Sequence, residues 1–373
     1  MPKAENHKRL ESLDVLRGLD LFMLLFFQPV FMAFATRMES PALEPIVRQF
    51  THVHWEGFAT WDIIMPLFMF MAGVSMPFSL GKYIDGRGSK SEALWRVAKR
   101  VVLLFLLGAI VQGNLLGLDP NCIYLYSNTL QAIASGYLIT AMLYLFFKER
   151  GVLFGALALL VIYWLPMAIC GDYTPDGNFA EKVDVAILGR FRDGAYLNDE
   201  GIWCFSPHYH YTWIWSSLNF AVTVSLGFIT GVIMRKSSAP LTAIKRMTIL
   251  GASLVAVALL LDPVSPIIKK IWSSTMTLYA GGICMLLMAL FYYIVDYKGW
   301  GKGLAWLKIY GMNSIAAYVI GEVVNFRSVS DSLLHGLRQY TGDYYGAVLT
   351  LANCLILFII LRMMYKAKIF IKV

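Results

Sequence analysis

Residues 62–81, DIIMPLFMFMAGVSMPFSLG, form a continuous apolar run in which the one charged residue, Asp62, stands at the start. An α-helix of roughly 20 residues crosses the ~30 Å hydrocarbon core of a bilayer, so this run is long enough to span a membrane. It shows no alternation of apolar and polar residues of the kind that transmembrane β-strands have. The run therefore predicts a membrane-spanning helix.

Further stretches of similar length and composition occur on both sides of this run. The ten predicted spans lie near 18–37, 62–81, 101–117, 127–147, 152–170, 212–234, 246–262, 273–296, 307–325 and 344–363. Of the 373 residues 58% are hydrophobic and 15% charged, whereas soluble domains carry about 25% charged residues. This composition excludes a soluble globular, disordered or disulfide-rich secreted protein. We expect an all-α, polytopic integral membrane protein with about ten transmembrane helices, folded as one domain over residues 1–373.

The distribution of basic residues predicts the orientation. With both termini placed in the cytoplasm, 23 of the 32 Lys and Arg residues fall in inner segments and 9 in outer ones. Since positive residues are retained on the cytoplasmic side, both termini are predicted to be cytoplasmic, in the inner (plasma) membrane. The N-terminal segment 1–17 is then inside, and the loops near 38–61 and 171–211 are outside. The net charge of +8 is explained by this anchoring, so the predicted partner is the lipid bilayer and not nucleic acid.

Ionisable residues in apolar segments are costly and therefore candidates for function. Asp62 opens one predicted span and Glu322 lies in another; a helix-dipole contact or an interhelical hydrogen bond are the structural alternatives. His52 precedes Asp62 by ten residues, a spacing at which the two side chains cannot meet on a continuous helix. A turn at Gly57 would allow the contact. The histidine would then be oriented by the carboxylate and could act as a general base.

Histidine and cysteine spacing offers two further hypotheses. His52 with His54, and His208 with His210, form two His-x-His pairs that could surround a zinc ion. Because no carboxylate or cysteine cluster accompanies these pairs, no metal is expected. Cys170 and Cys204 bracket the second outer loop, and a disulfide between them is an alternative to two free thiols.

Six ordered segments resemble the transmembrane acyltransferase family of heparan-α-glucosaminide N-acetyltransferase and its bacterial relatives. They are RLESLDVLRG (9–18), HVHWEGFATWDIIMPLFMFMAG (52–73), LQAIASGY (130–137), the P-x-x-K-x-x-W run at 266–272, YGMNSIAAYV (310–319) and KIFIKV (368–373). The likeness runs from about Arg9 to the last residue. It implies transfer of an acetyl group from cytoplasmic acetyl-CoA to an amino sugar or related glycan on the other side of the membrane.

The resemblance also implies roles for individual residues. It places the catalytic pair on His52 and Asp62, since His52 is the histidine three residues before Trp55. The residues expected to contact acetyl-CoA are Arg100, Gln131, Asn313 and Ser314, and the structural alternative is that they hold helices together. Those expected to contact the acceptor are Trp55, Lys269, Trp272 and Glu322. A homodimer is a further candidate assembly.

Departures from the family pattern affect the donor and acceptor positions. Ala132 stands where relatives commonly have Arg, and Gln28 where an Asn is expected. The run 210–213, His-Tyr-Thr-Trp, replaces an acidic D-P-E-G run, which leaves the acceptor and the choice between nitrogen and oxygen acylation open. The alternative functions are a permease for a small solute and a family member that has lost catalysis.

Overall fold

The computed structural model describes residues 10–112, 123–206 and 211–371, and these are predominantly helical. Along the chain we label the principal helices α1 Glu11–Met38, α2 Thr60–Ile84, α3 Lys90–Val111, α4 Thr129–Cys170, α5 Phe179–Leu188, α6 Ser217–Lys236, α7 Pro240–Leu261, α8 Ser274–Tyr297, α9 Leu307–Gly311, α10 Ser314–Val323 and α11 Tyr345–Lys366. Short helices Glu44–Gln49, Arg327–Leu334 and Arg338–Thr341 lie in the connections. The strands described are β1 Ala195–Leu197 and β2 Trp203–Phe205, an antiparallel pair that follows α5.

Seven helices within the described ranges are long and apolar enough to cross a membrane. They are Glu11–Met38, Thr60–Ile84, Thr129–Cys170, Ser217–Lys236, Pro240–Leu261, Ser274–Tyr297 and the continuous helical stretch Arg327–Lys366, which joins the last two short helices to α11. The chain therefore has the make-up of a polytopic membrane protein. The count of ten spans and the cytoplasmic position of both termini remain predictions.

The predicted span 101–117 begins in α3, and its residues 113–117 lie outside the described residues. Three other predicted spans correspond to irregular or interrupted helices. The spans 127–147 and 152–170 both fall in α4, whose backbone leaves helical geometry at Lys148 with φ 60° and ψ −160°. At 1.5 Å per residue α4 would be about 63 Å long, twice the thickness of a hydrocarbon core, so this break divides it into two span-length halves. The span 307–325 comprises the short helices α9 and α10, which are separated by Met312 and Asn313.

The helices around the centre of the fold approach at backbone distance. A Cβ on Gly73 of α2 would lie 1.9 Å from the carbonyl oxygen of Val224, and one on Gly227 of α6 would lie 1.9 Å from that of Phe70. Only hydrogen fits at both positions. Small residues at such contacts let transmembrane helices pack closely, where lipid supplies no hydrophobic force between them. The close contact with α6 thereby fixes the position of α2, which forms one wall of the central cavity.

Candidate functional site

His52 and Asp62 meet where the chain enters α2. The His52 Nδ1 atom lies 2.7 Å from Asp62 Oδ1. The contact depends on a turn at Gly57, whose φ of +108° lies in a region that residues with a Cβ avoid. The turn lets residues 52–58 fold back along the first turn of α2. An acidic side chain and an imidazole ten residues apart are therefore hydrogen-bonded.

The Asp62 carboxylate is fixed on both of its oxygens. The backbone N–H of Ala59 donates to Oδ2 at 2.9 Å, which leaves Oδ1 for His52. The Asp62 side chain is 1% exposed, whereas that of His52 is 43% exposed. A buried carboxylate that accepts from Nδ1 leaves Nε2 as the free nitrogen of a neutral ring, the tautomer that a general base requires.

Lys269 is the third charged member of the site. Its Nζ lies 3.2 Å from Asp62 Oδ1 and 2.9 Å from His52 Nδ1. Burial lowers the pKa of Lys269 to about 8, although the nearby Asp62 carboxylate acts in the opposite direction. Two charges of opposite sign therefore flank one ring nitrogen of His52.

Backbone pairing brings Lys269 to the histidine loop. The N–H of Gly57 donates to the Ile267 carbonyl at 2.8 Å, and Glu56 forms an antiparallel bridge with Ile268. Lys269 follows directly on this paired segment. A loop more than 200 residues away in sequence thus places Lys269 next to His52.

His52 and Lys269 line a cavity of about 610 Å³. Along α2 the lining residues are Trp61, Ile64, Met65, Phe68, Met71, Ala72 and Ser75. Steps of three and four residues put them on one face of the helix. From residue 61 to residue 75 this stripe extends about 21 Å, some two thirds of a hydrocarbon core.

Charged residues line the rest of the cavity. Arg17 belongs to α1 and donates from Nη2 to the Met71 carbonyl at 3.2 Å. Arg100 belongs to α3, and its guanidinium lies over the Tyr137 ring, 4.3 Å from the centroid. Arg17 also reaches the cavity at the Met71 level, three turns along α2 from Trp61. The cavity therefore has a His52 end and an Arg17 end.

Five of the predicted site residues line this cavity. They are His52, Arg100, Lys269, Ser314 and Glu322. Asp62 contacts the lining through His52 and Lys269. The structure therefore brings His52, Asp62 and Lys269 together and places Arg100, Ser314 and Glu322 in the lining of the same cavity.

Four other predicted residues, all within the described ranges, are absent from the cavity lining, and the two amides among them hold backbone groups. Gln131 caps α4 by accepting from the N–H groups of Ser127 and Asn128. Asn313 donates to the Ile369 carbonyl at 2.9 Å and accepts from the Ile371 N–H at 3.0 Å. Their assigned contacts with acetyl-CoA stay untested predictions.

Each of the two predicted tryptophans donates a hydrogen bond from its indole N–H. The Trp55 indole donates to the Tyr173 carbonyl at 2.7 Å. The Trp272 indole is buried and donates to Thr223 Oγ1 at 3.1 Å. Trp272 lies three residues after Lys269 and anchors that segment to α6. Both tryptophans thus stabilise the segments that carry Lys269 and the histidine loop.

The alternative hypotheses have different outcomes. Cys170 and Cys204 are both free, so the proposed disulfide between them is wrong. His208 and His210 lie outside the described residues. Within 10–112, 123–206 and 211–371, no cluster of three or more His, Cys, Asp and Glu residues suits a metal ion.

Sequence reasoning missed an acidic and basic group that shapes the cavity at the His52 end. The carboxylate of Asp184 in α5 accepts from the N–H groups of Trp213, at 2.6 Å, and Ile214, at 3.0 Å. Burial raises the pKa of Asp184 to about 6. Arg192 is buried beside it and pairs with Glu181. This group holds the segment from which Tyr211 and Trp213 reach the cavity.

Asp14 and Asp193 are further cavity-lining carboxylates that were not predicted. Asp14 lies in the segment RLESLDVLRG, so this motif could have identified it as a candidate site residue. Asp193 follows Arg192 in a loop with no recognisable pattern. Only the fold shows that both carboxylates reach the same cavity.

The chain is similar in sequence to human heparan-alpha-glucosaminide N-acetyltransferase. The two sequences are 24% identical in an alignment 370 residues long, and this alignment covers 84% of this chain and 53% of the human protein. The chain thus spans about half the length of the curated relative that it matches. No family model matches the chain. The similarity supports a relationship at family level with an acetyltransferase.

Proposed function

We propose that the protein is a transmembrane acyltransferase that moves an acetyl group from cytoplasmic acetyl-CoA to an amino sugar or related glycan on the opposite side. The observation that carries this proposal is the His52–Asp62 pair at one end of a cavity that has Arg17 and Arg100 on its walls. The likeness to an N-acetyltransferase agrees with it. In this proposal both termini are cytoplasmic and the His52 end faces outward.

The length and charge of the cavity fit a donor that enters from the Arg17 end. The phosphates of acetyl-CoA are polyanionic and remain outside the hydrocarbon region, where arginine binds them well. The pantetheine arm is slender and partly apolar, like the α2 stripe between Trp61 and Ser75. In this arrangement the arm extends along the stripe and presents the thioester near His52.

The histidine then acts as a general base. Its Nδ1–H donates to Asp62, and its free Nε2 removes a proton from the acceptor amine as the amine nitrogen attacks the thioester carbonyl carbon. The carbon–sulfur bond breaks when the tetrahedral intermediate collapses. The imidazolium returns its proton to the departing CoA thiolate. An acetyl-histidine intermediate is the alternative route, and ping-pong kinetics would distinguish it.

Transfer across a sealed membrane tests the proposal. Proteoliposomes carry acetyl-labelled acetyl-CoA on the side of the Arg17 end and glucosamine on the other side. We expect acetylglucosamine to form on the glucosamine side, and His52→Ala to reduce its formation by at least about 10²-fold. His54→Ala is the matched control, because His54 is an exposed histidine two residues away. Undiminished transfer by His52→Ala would remove His52 from the mechanism.

The same vesicles separate a permease from an acyltransferase. With a second label on the adenine of acetyl-CoA, an acyltransferase delivers only the acetyl label to the far side. A permease delivers both labels or neither. Arrival of both labels together would contradict the proposed function.

A further inference from the structure

The position of Lys269 relative to the His52 ring is unusual. Its Nζ lies 2.9 Å from Nδ1 and 3.4 Å from Nε2. The two ring nitrogens point away from each other in the plane of the imidazole, so a donor in line with one would lie about 5 Å from the other. An atom close to both lies over the face of the ring. Lys269 is therefore not an in-plane hydrogen-bond partner of His52.

The in-plane position at Nδ1 belongs to Asp62. Its Oδ1 lies 2.7 Å from Nδ1 and 3.2 Å from Lys269 Nζ. When the ring is protonated, this one oxygen therefore contacts both the imidazolium and the ammonium group. The ammonium and the carboxylate neutralise each other when the ring is neutral. Protonation of the ring would place a second positive charge against the ammonium, in a site where the Lys269 side chain is only 10% exposed.

Neutral and protonated imidazole respond oppositely to this neighbour. The π face of a neutral ring tolerates or attracts a cation, whereas an imidazolium is repelled by it. Asp62 alone would favour the protonated ring. The cation over the ring offsets that effect.

We propose that Lys269 is a positioning residue that keeps His52 unprotonated between turnovers. The inference rests on the proposed function, in which His52 is the base. The ammonium also drives the proton off the imidazolium after attack, onto the CoA thiolate. Lys269 then acts through His52 and Asp62, and not by contact with the acceptor sugar as the resemblance implied.

Other ionisable groups surround the site and bear on its pH dependence. From the neighbouring elements they are Asp62 on α2, Lys270 beside Lys269, Tyr211 before α6, Asp193 after α5, Glu322 on α10, Asp14 and Arg17 on α1, Arg100 on α3, and His54 and Glu56 on the histidine loop. Of these, Asp62 and Lys269 contact the His52 ring. Lys270 instead lies over the Tyr211 ring, 5.7 Å from its centroid.

The acid limb of the pH–rate profile tests this inference. For Lys269→Met we expect the limb of kcat/KM to move to higher pH by about one unit, because one repelling charge is removed. Lys269→Arg retains the charge and should keep the limb near its wild-type position. Lys270→Met is the matched control and should leave the limb unchanged. A merely structural role for Lys269 would lower the rate at every pH without moving the limb.

A measurement without turnover separates this inference from the proposed function. In ring-labelled protein in detergent micelles, the pH at which the His52 NMR signals change should rise by the same unit in Lys269→Met. Lys269→Gln takes its place if the Met variant does not fold. An unmoved His52 titration in the folded variants would overturn the role of Lys269. A moved titration in a protein without transferase activity would uphold this role and reject the proposed function.

Discussion

His52, Asp62 and Lys269 contact one another through their side chains beside a cavity, whereas Gln131 and Asn313 use their amides to bind backbone groups. Both sets are polar residues in an apolar domain. A bilayer supplies no water to satisfy free N–H and C=O groups at helix ends, so some polar side chains must do so. Polar residues that reach the cavity, or that contact a side chain which does, are therefore the candidates for function, whereas those that bind backbone groups are explained by the fold.

The largest expected effect concerns the pair itself. Asp62→Asn keeps an oxygen for the Ala59 N–H but no longer fixes the His52 tautomer, so kcat should fall on the order of 10³-fold or more. Initial rates of acetyl transfer in proteoliposomes measure the change. Asp172→Asn is the control, because Asp172 lies in an exposed loop where its carboxylate binds Thr174. If Asp62→Asn turned over at the wild-type rate, the His52–Asp62–Lys269 group would be no more important for catalysis than the backbone-binding Gln131 and Asn313.

The next effect is on stability and follows from the lowered pKa of Lys269, about 8 against 10.5 for a free lysine. Between these values the unfolded chain binds a proton that the folded chain does not, so stability rises with pH. Below about 8 the buried charge is present in both states and its cost remains. As the pH rises from about 8 to 10.5, the unfolding free energy of the wild type should increase by up to about 3 kcal/mol relative to that of Lys269→Met.

Thermal unfolding in detergent from pH 7 to 10.5 measures this gain. Lys270→Met should follow the wild-type curve more closely, because Lys270 is less buried than Lys269. A parallel pH dependence of the wild type and Lys269→Met would show that Lys269 is as well solvated as an ordinary surface lysine.

Asn313→Leu tests the backbone-binding set. The variant removes two hydrogen bonds, to the Ile369 carbonyl and from the Ile371 N–H. At roughly 0.5–1.5 kcal/mol for each bond, the unfolding free energy should fall by about 1–3 kcal/mol. The KM for acetyl-CoA should not change in the folded fraction. Asn325→Leu is the control at an exposed position, where the amide oxygen accepts only from the Arg327 N–H. A higher KM with unchanged stability would instead move Asn313 into the donor site.

Local sequence patterns predicted the membrane class and the entry to the site. The apolar run 62–81 is within α2, and the turn at Gly57 that the His52–Asp62 contact requires is present. Both depend on neighbouring residues, so periodicity and backbone preference were sufficient. The roles of His52 and Asp62 in catalysis remain predictions.

Non-local contacts were beyond the same reasoning. Lys269 reaches His52 because Ile267 accepts from the Gly57 N–H, a pairing that no apolar period signals. The direction of the Gln131 and Asn313 amides depends on which backbone groups lie nearby after folding. Hydropathy likewise registered two spans in α4 but could not show that helix continues to Cys170 past the break at Lys148.

Arg100 is the residue that joins both halves of the comparison, because it lines the cavity and also stacks on the buried Tyr137 ring. If it contacts the donor, Arg100→Gln should raise the KM for acetyl-CoA about tenfold, since a charge-assisted hydrogen bond is worth about 1.5–3 kcal/mol. The kcat should change little, because Arg100 does not contact His52 or Asp62. Lys99→Gln is the matched control: Lys99 is the preceding residue of α3 and is exposed. An equal rise in KM for both variants would mean that only the general positive charge of α3 attracts the donor. A fall in stability without a rise in KM would show that Arg100, like Gln131 and Asn313, serves the fold and does not contact the donor.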